Sequence, residues 1–209
     1  MRLVRFAAAL AAVSLTVSTA WGQRPQRRAA PAAQAPPPAA ARSAPITNVR
    51  YQIGFNRLTA AERQLHVTMS FEVASAEPVL LSLPAWTPGA YDLSWFARNV
   101  SGFVARSGGI ELRWDKHDYD TWRVFPRGAG AVQVEFDYLA DSLDNAMAWA
   151  RSDLLMVNGT NVFMYPEGQP LEFAATVSVV TEPDWQVATG MRPGGAPRTY
   201  AERNYHDLV

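Results

Sequence analysis

Apolar and polar residues alternate with a period of two in four long runs of this chain, so an extended backbone there has one dry face and one wet face. Val49, Tyr51, Ile53 and Phe55 alternate with Asn48, Arg50, Gln52 and Gly54, and Leu65, Val67, Met69, Phe71 and Val73 alternate with His66, Thr68, Ser70 and Glu72. Val132, Val134, Phe136 and Tyr138 do the same against Gln133, Glu135 and Asp137, as do Phe173, Ala175, Val177 and Val179 against Glu172, Ala174, Thr176 and Ser178. Sheets with one face in water are usually antiparallel, which sets the expected pairing. Shorter strands are expected at 79–83, 102–106, 110–114, 121–125, 154–157, 162–165 and 185–188, separated by Gly- and Pro-rich turns such as Ser107-Gly108-Gly109 and Pro193-Gly194-Gly195. The predicted fold is all-β, an antiparallel sandwich or a strongly bent sheet. One short helix is expected within 91–100, launched by Pro88-Gly89, where proline sets φ and glycine accepts the positive φ of a type II turn.

The start of the chain reads differently. Arg2 and Arg5 precede an apolar run from Phe6 to Val17 and then the small residues Ser18, Thr19 and Ala20, the layout of a secretory leader over residues 1–22. That run is too short to cross a hydrocarbon core of about 30 Å, so no membrane span is expected once the leader is removed. Residues 23–46, almost wholly Ala, Pro, Gln and Arg, read as a linker, and 47–209 as one domain of 163 residues. The expected location is periplasmic or secreted.

Charge then narrows the partners. The whole chain is neutral, but residues 1–46 hold six arginines and no acid, which leaves 13 basic and 19 acidic residues, net −6, beyond them. An acidic domain is a poor partner for phosphate backbones, so no nucleic acid is expected. The absence of cysteine excludes disulfides, thiolate zinc sites and thiol catalysis together.

Chemistry is sparse. A zinc hydrolase needs two histidines one helical turn apart with a glutamate, and His66, His117 and His206 are scattered. The run Asp115-Lys116-His117-Asp118-Tyr119-Asp120 lacks the glycine and distal glutamate of a calcium loop and reads as a polar hairpin connection. No serine elbow or phosphate loop is present, so no catalytic residue, metal ligand or cofactor is assigned to this chain. Trp86, Trp95, Trp114, Trp122, Trp149 and Trp185 lie beyond the leader. They allow two readings, core packing or an exposed platform for carbohydrate or cell-wall polymer on a stand-alone secreted sandwich.

Four stretches together resemble the N-terminal domain of the glycyl aminopeptidase family of zinc metallopeptidases. They are Leu83-Pro84-Ala85-Trp86-Thr87-Pro88-Gly89-Ala90-Tyr91 with Phe96-Ala97-Arg98-Asn99-Val100; Asp115-Lys116-His117 with Thr121-Trp122-Arg123-Val124; Asn158-Gly159-Thr160-Asn161-Val162-Phe163-Met164-Tyr165; and Trp185-Gln186-Val187-Ala188-Thr189-Gly190-Met191. Tyr205-His206-Asp207-Leu208-Val209 resembles the segment that leads into the catalytic domain. The resemblance implies a β-rich, non-catalytic domain that packs on and shapes the cleft of a following zinc domain, with peptide substrate reached only through that domain. Ser94 stands where arginine is expected in many relatives. Trp86, Tyr91, Trp95 and Arg98 are the candidate interface or cleft-lining residues, the other reading being that they close one end of this domain's own core.

Overall fold

The computed structural model describes residues 40–144 and 146–209; the predicted leader and most of the predicted linker lie outside them. Its strands in chain order are β1 Ile46–Phe55, β2 Gln64–Val73, β3 Val79–Ser82, β4 Val100–Ser107, β5 Ile110–Glu111, β6 Trp114–Lys116, β7 Thr121–Val124, β8 Gly130–Leu139, β9 Trp149–Arg151, β10 Leu154–Met156, β11 Tyr165–Pro166, β12 Ala175–Thr181 and β13 Thr199–Glu202. The four alternating runs supply the centre of one seven-stranded sheet, ordered β13-β12-β1-β2-β8-β4-β5. A four-stranded sheet, β11-β3-β7-β6, and the hairpin of β9 and β10 complete an all-β, sandwich-like architecture.

Alternation does what the sequence requires of it. On β2, Leu65, Val67, Met69, Phe71 and Val73 are buried while His66, Thr68, Ser70 and Glu72 face outward, and β8 pairs with it antiparallel so that Val67 meets Phe136 and Met69 meets Val134. Cross-strand neighbours on the dry face thereby form one continuous apolar layer. The smaller sheet covers that layer, with β3 buried on both faces. Phe103 of β4 stacks on Trp122 of β7 at 5.5 Å between ring centroids, joining the two sheets.

Pairing departs from the antiparallel expectation at one place. β1 and β12 run parallel, Tyr51 opposite Val177 and Ile53 opposite Val179. Residues 140–174 carry the chain across the core between β8 and β12, and a strand entering after such a crossover can arrive in either direction. The expected strand at 162–165 is also absent. Val162, Phe163 and Met164 are buried without a ladder, and the Tyr51 hydroxyl donates to the Met164 carbonyl at 2.6 Å while the Tyr205 hydroxyl donates to the Phe163 carbonyl at 2.6 Å. Burial pushes the pKa of both phenols upward, so both remain protonated donors.

Helix appears elsewhere than expected. The α-helix α1 spans Arg57–Ala61, where Asn56 accepts from the Leu58 and Thr59 amides and Thr59 returns a bond to the Asn56 amide. Within 91–100 only Phe96–Asn99 turns, as a 3-10 helix. Residues 185–188 form no strand. Ahead of β1, Ser43 and Ala44 are buried, and the Ala44 amide donates to the Pro78 carbonyl at 3.0 Å. No helix among the described residues is long and apolar enough to cross a membrane.

Removing either tyrosine hydroxyl leaves a buried carbonyl without a donor. Tyr51→Phe is expected to lower the unfolding free energy by about 1–3 kcal/mol, read from urea denaturation; an unchanged midpoint would show that the Met164 carbonyl finds another donor.

Candidate functional site

The stretch from Pro84 to Trp95 forms an irregular loop at one end of the molecule. Gly89 has φ +91°, and the Ala90 amide donates to the Thr87 carbonyl at 3.0 Å, which closes the turn expected at Pro88-Gly89. The Ser94 and Trp95 amides both donate to the Ala85 carbonyl, at 2.8 and 3.0 Å, and hold the loop's two ends together. Trp95 itself sits at φ +51°, a left-handed conformation costly for a non-glycine residue, and the 3-10 turn follows directly.

All four candidate residues of this region are exposed. Trp86 keeps 51% of its surface, Trp95 keeps 39%, Tyr91 is fully exposed and Arg98 faces solvent. Leu93 and Tyr119 extend the same apolar surface, with Tyr119 edge-on to Trp95 at 5.5 Å. Core closure falls instead to Phe96 and Ala97, which are buried. The other four described tryptophans differ from this pair: Trp122 is buried, and Trp114, Trp149 and Trp185 are half-buried.

One hydrogen bond ties this loop to the third motif stretch, Asn158–Tyr165. Thr160 spends its proton on the Asn158 carboxamide oxygen at 2.8 Å, so in the buried Thr87–Thr160 pair at 2.6 Å the Thr87 hydroxyl is the donor. Beside it, Gly159 lies so close to the Leu208 carbonyl that any Cβ would collide with it. The last residues of the chain are thereby seated on the core. Leu208 is buried, and the carboxylate of Asp207 takes bonds from Asn204 Nδ2 at 2.9 Å and Arg192 Nη2 at 3.1 Å.

Arg192 also holds Glu202, the end of β13. The buried Glu202 carboxylate accepts the Arg192 amide at 2.7 Å and its Nε at 2.9 Å. The backbone bond, then the guanidinium, keep the Glu202 pKa below its ordinary value of 4.5, with burial opposing. Two tertiary ties, Thr87–Thr160 and the Arg192 clamp, carry no sequence signature of their own. The Asn158-Gly159-Thr160 spacing is the nearest signal, since a small residue is needed where backbones meet.

Asp115 is tied by two bonds of 2.9 Å to Arg123 across the β6–β7 hairpin, as a polar connection requires, and His66 pairs with Asp137 at 2.9 Å on the outer face of the sheet. Among the described residues no three His, Asp or Glu side chains converge closely enough to hold a metal ion.

A family model described as the Peptidase M61 N-terminal domain matches residues 50–209. The chain belongs to this family. Among solved structures, an aminopeptidase N family protein from Idiomarina loihiensis superposes with a TM-score of 0.69 at 26% identity, covering 77% of this chain and 28% of that one. An M1 zinc metallopeptidase from Deinococcus radiodurans gives a TM-score of 0.43 at 14% identity over 78% of this chain and 39% of that one. This M61 N-terminal domain thus spans well under half the length of the solved proteins it matches. No curated protein matches its sequence.

Two outcomes test how the last residues of the chain are seated. Gly159→Ala is expected to unseat Leu208 and lower thermal stability by several degrees. The depressed pKa of Glu202 means that its carboxylate stabilises the fold fully above about pH 4.5 and that this contribution is lost as pH falls further. Glu202→Gln should therefore flatten the fall in melting temperature between about pH 5 and pH 3, and an identical acid profile would remove the clamp from the account.

Proposed function

We propose that this is the non-catalytic N-terminal domain of an exported metallo-aminopeptidase, and that it packs on and shapes the cleft of a zinc catalytic domain that follows it. Membership of the M61 N-terminal family supports the class. The observation that carries the docking is one of position: the exposed aromatic loop is bonded through Thr87 and Thr160 to the segment on which Leu208 and Val209 rest. A domain continuing from Val209 starts at Gly159, next to Thr160, which bonds the loop that carries Trp86 and Tyr91. Aromatic and arginine side chains at such a place are the residue types that dominate interface energetics. The leader-like residues 1–22 support export to the periplasm or beyond, and zinc belongs to the following domain, with peptide reaching this one only at the shared cleft.

The carbohydrate reading has less support. A flat sugar platform needs roughly coplanar rings, whereas Trp95 and Tyr119 meet at 87°.

Mixing this chain with the separately expressed following domain, both from the same longer protein, should give a complex by calorimetry. Trp86→Ala combined with Tyr91→Ala is expected to weaken it by at least about tenfold, with thermal stability of the free chain unchanged because both side chains are exposed. The chain alone should leave an aminoacyl anilide uncleaved. Chelator-sensitive cleavage by the chain alone, or no association at micromolar concentrations, would overturn the proposal.

A further inference from the structure

Behind the aromatic loop lies a cavity of about 620 Å³ whose walls and charge do not match an apolar guest. Trp86, Trp95 and Tyr119 line it together with Asp118, Asp120 and Glu167. Among the described residues that line it there is no lysine or arginine. Lys116, two residues before Asp118, is already engaged: its ammonium donates to the Tyr119 carbonyl at 2.6 Å and rests 3.3 Å from the centre of the Trp122 ring.

The ammonium of Lys116 acts on both Asp118 and Asp120, two carboxylates to one cation among the described residues. Asp118 uses one oxygen to accept the Asp120 amide at 3.0 Å. Asp120 Oδ1 is closed to water and meets no donor among the described residues. Burial, then the negative charge of Asp118, raise the Asp120 pKa against the opposing charge of Lys116. Tyr165, also in the wall, is pushed up to about 12, chiefly by burial and then by Glu167, Asp120 and Asp118. A concave site lined by aromatic side chains and, among the described residues, by more carboxylates than cations is a receptor for a cation, because ring quadrupole and carboxylate act on it with the same sign.

We propose that this cavity receives an arginine or lysine side chain presented by the domain that follows Val209. The identity of the guest rests on the docking reading above; the cation preference does not. Position favours that guest. Tyr165 packs at 5.3 Å against Tyr205 in the exit segment, so the cavity wall and the last residues of the chain share one aromatic contact. The exposed rim formed by Trp86, Trp95 and Tyr119 is continuous with the loop assigned to the interface. An arginine, which stacks on aromatic faces and bonds carboxylates with the same planar group, fits both walls and base.

The test separates the cavity from the docking reading by using a free probe on the whole chain. N-acetyl-arginine methylamide is titrated while the indole N–H resonances of Trp86 and Trp95 are followed by NMR, with the citrulline analogue as a neutral isostere. Saturable shifts at both indoles with arginine and none with citrulline are expected. Asp120→Asn and, separately, Trp86→Ala should each weaken the probe by about tenfold or more. Trp86 is half exposed, so that variant keeps its fold, which an unchanged melting temperature verifies. Equal shifts with both probes, or none with either, would overturn the cation site. Arg24→Ala, Arg27→Ala and Arg28→Ala made together should leave probe affinity unchanged. Affinity rising severalfold would mean that the chain's own basic stretch fills the cavity and would overturn the assignment to the following domain.

Discussion

Two phenol hydroxyls hold an unladdered piece of backbone inside this domain, and the arrangement of its functional end depends on them. Val162, Phe163 and Met164 cross the core with no neighbouring strand, and carbonyls in such a place are costly unless a donor reaches them. Tyr51 on β1 and Tyr205 at the exit supply those donors from opposite directions along the chain. Their rings contribute as well, Tyr51 lying 4.8 Å from Phe163 and Tyr205 5.9 Å from Phe173. Sheet, crossing segment and chain exit are consequently one packed unit rather than three.

From that crossing segment the rest of the end follows outward. Asn158 caps the short turn over Gly159–Asn161, Thr160 reaches Thr87, and Thr87 anchors the loop bearing Trp86 and Tyr91. Because the anchors are buried and the aromatics are exposed, the loop can present large apolar side chains without collapsing onto the core. Exposed apolar surface of this kind marks interaction sites in soluble proteins, and the acids behind it give the surface a preferred charge.

The sheet was legible in the sequence because period-two alternation reports directly which face of a strand is dry. Leu65 through Val73 and Val132 through Tyr138 show this, and both became central strands with the expected residues inward. What alternation does not report is direction or partner, so the parallel pairing of β1 and β12 was not visible. Nor does it separate a buried strand from a buried irregular segment, which is why 162–165 read as a strand; there the donors come from Tyr51 and Tyr205, 113 and 42 residues away. Helix α1 escaped because five residues are too few for a helical period, although Asn56 with Thr59 was a cap signal in plain view. Of the candidate site, the residue types at Trp86, Tyr91, Trp95 and Arg98 were readable, whereas their exposure and their link to Gly159 and Leu208 are tertiary facts.

The proposed docking places one surface under the following domain: the aromatic loop, the cavity behind it and the last residues of the chain. Hydrogen–deuterium exchange on this chain, free and in the presence of that domain, reads this most directly. Protection gathered at residues 84–98 and 117–121, with the outer face of β2 and β8 unchanged, is the predicted result. Protection on that outer face, with 84–98 exchanging as in the free chain, would contradict it.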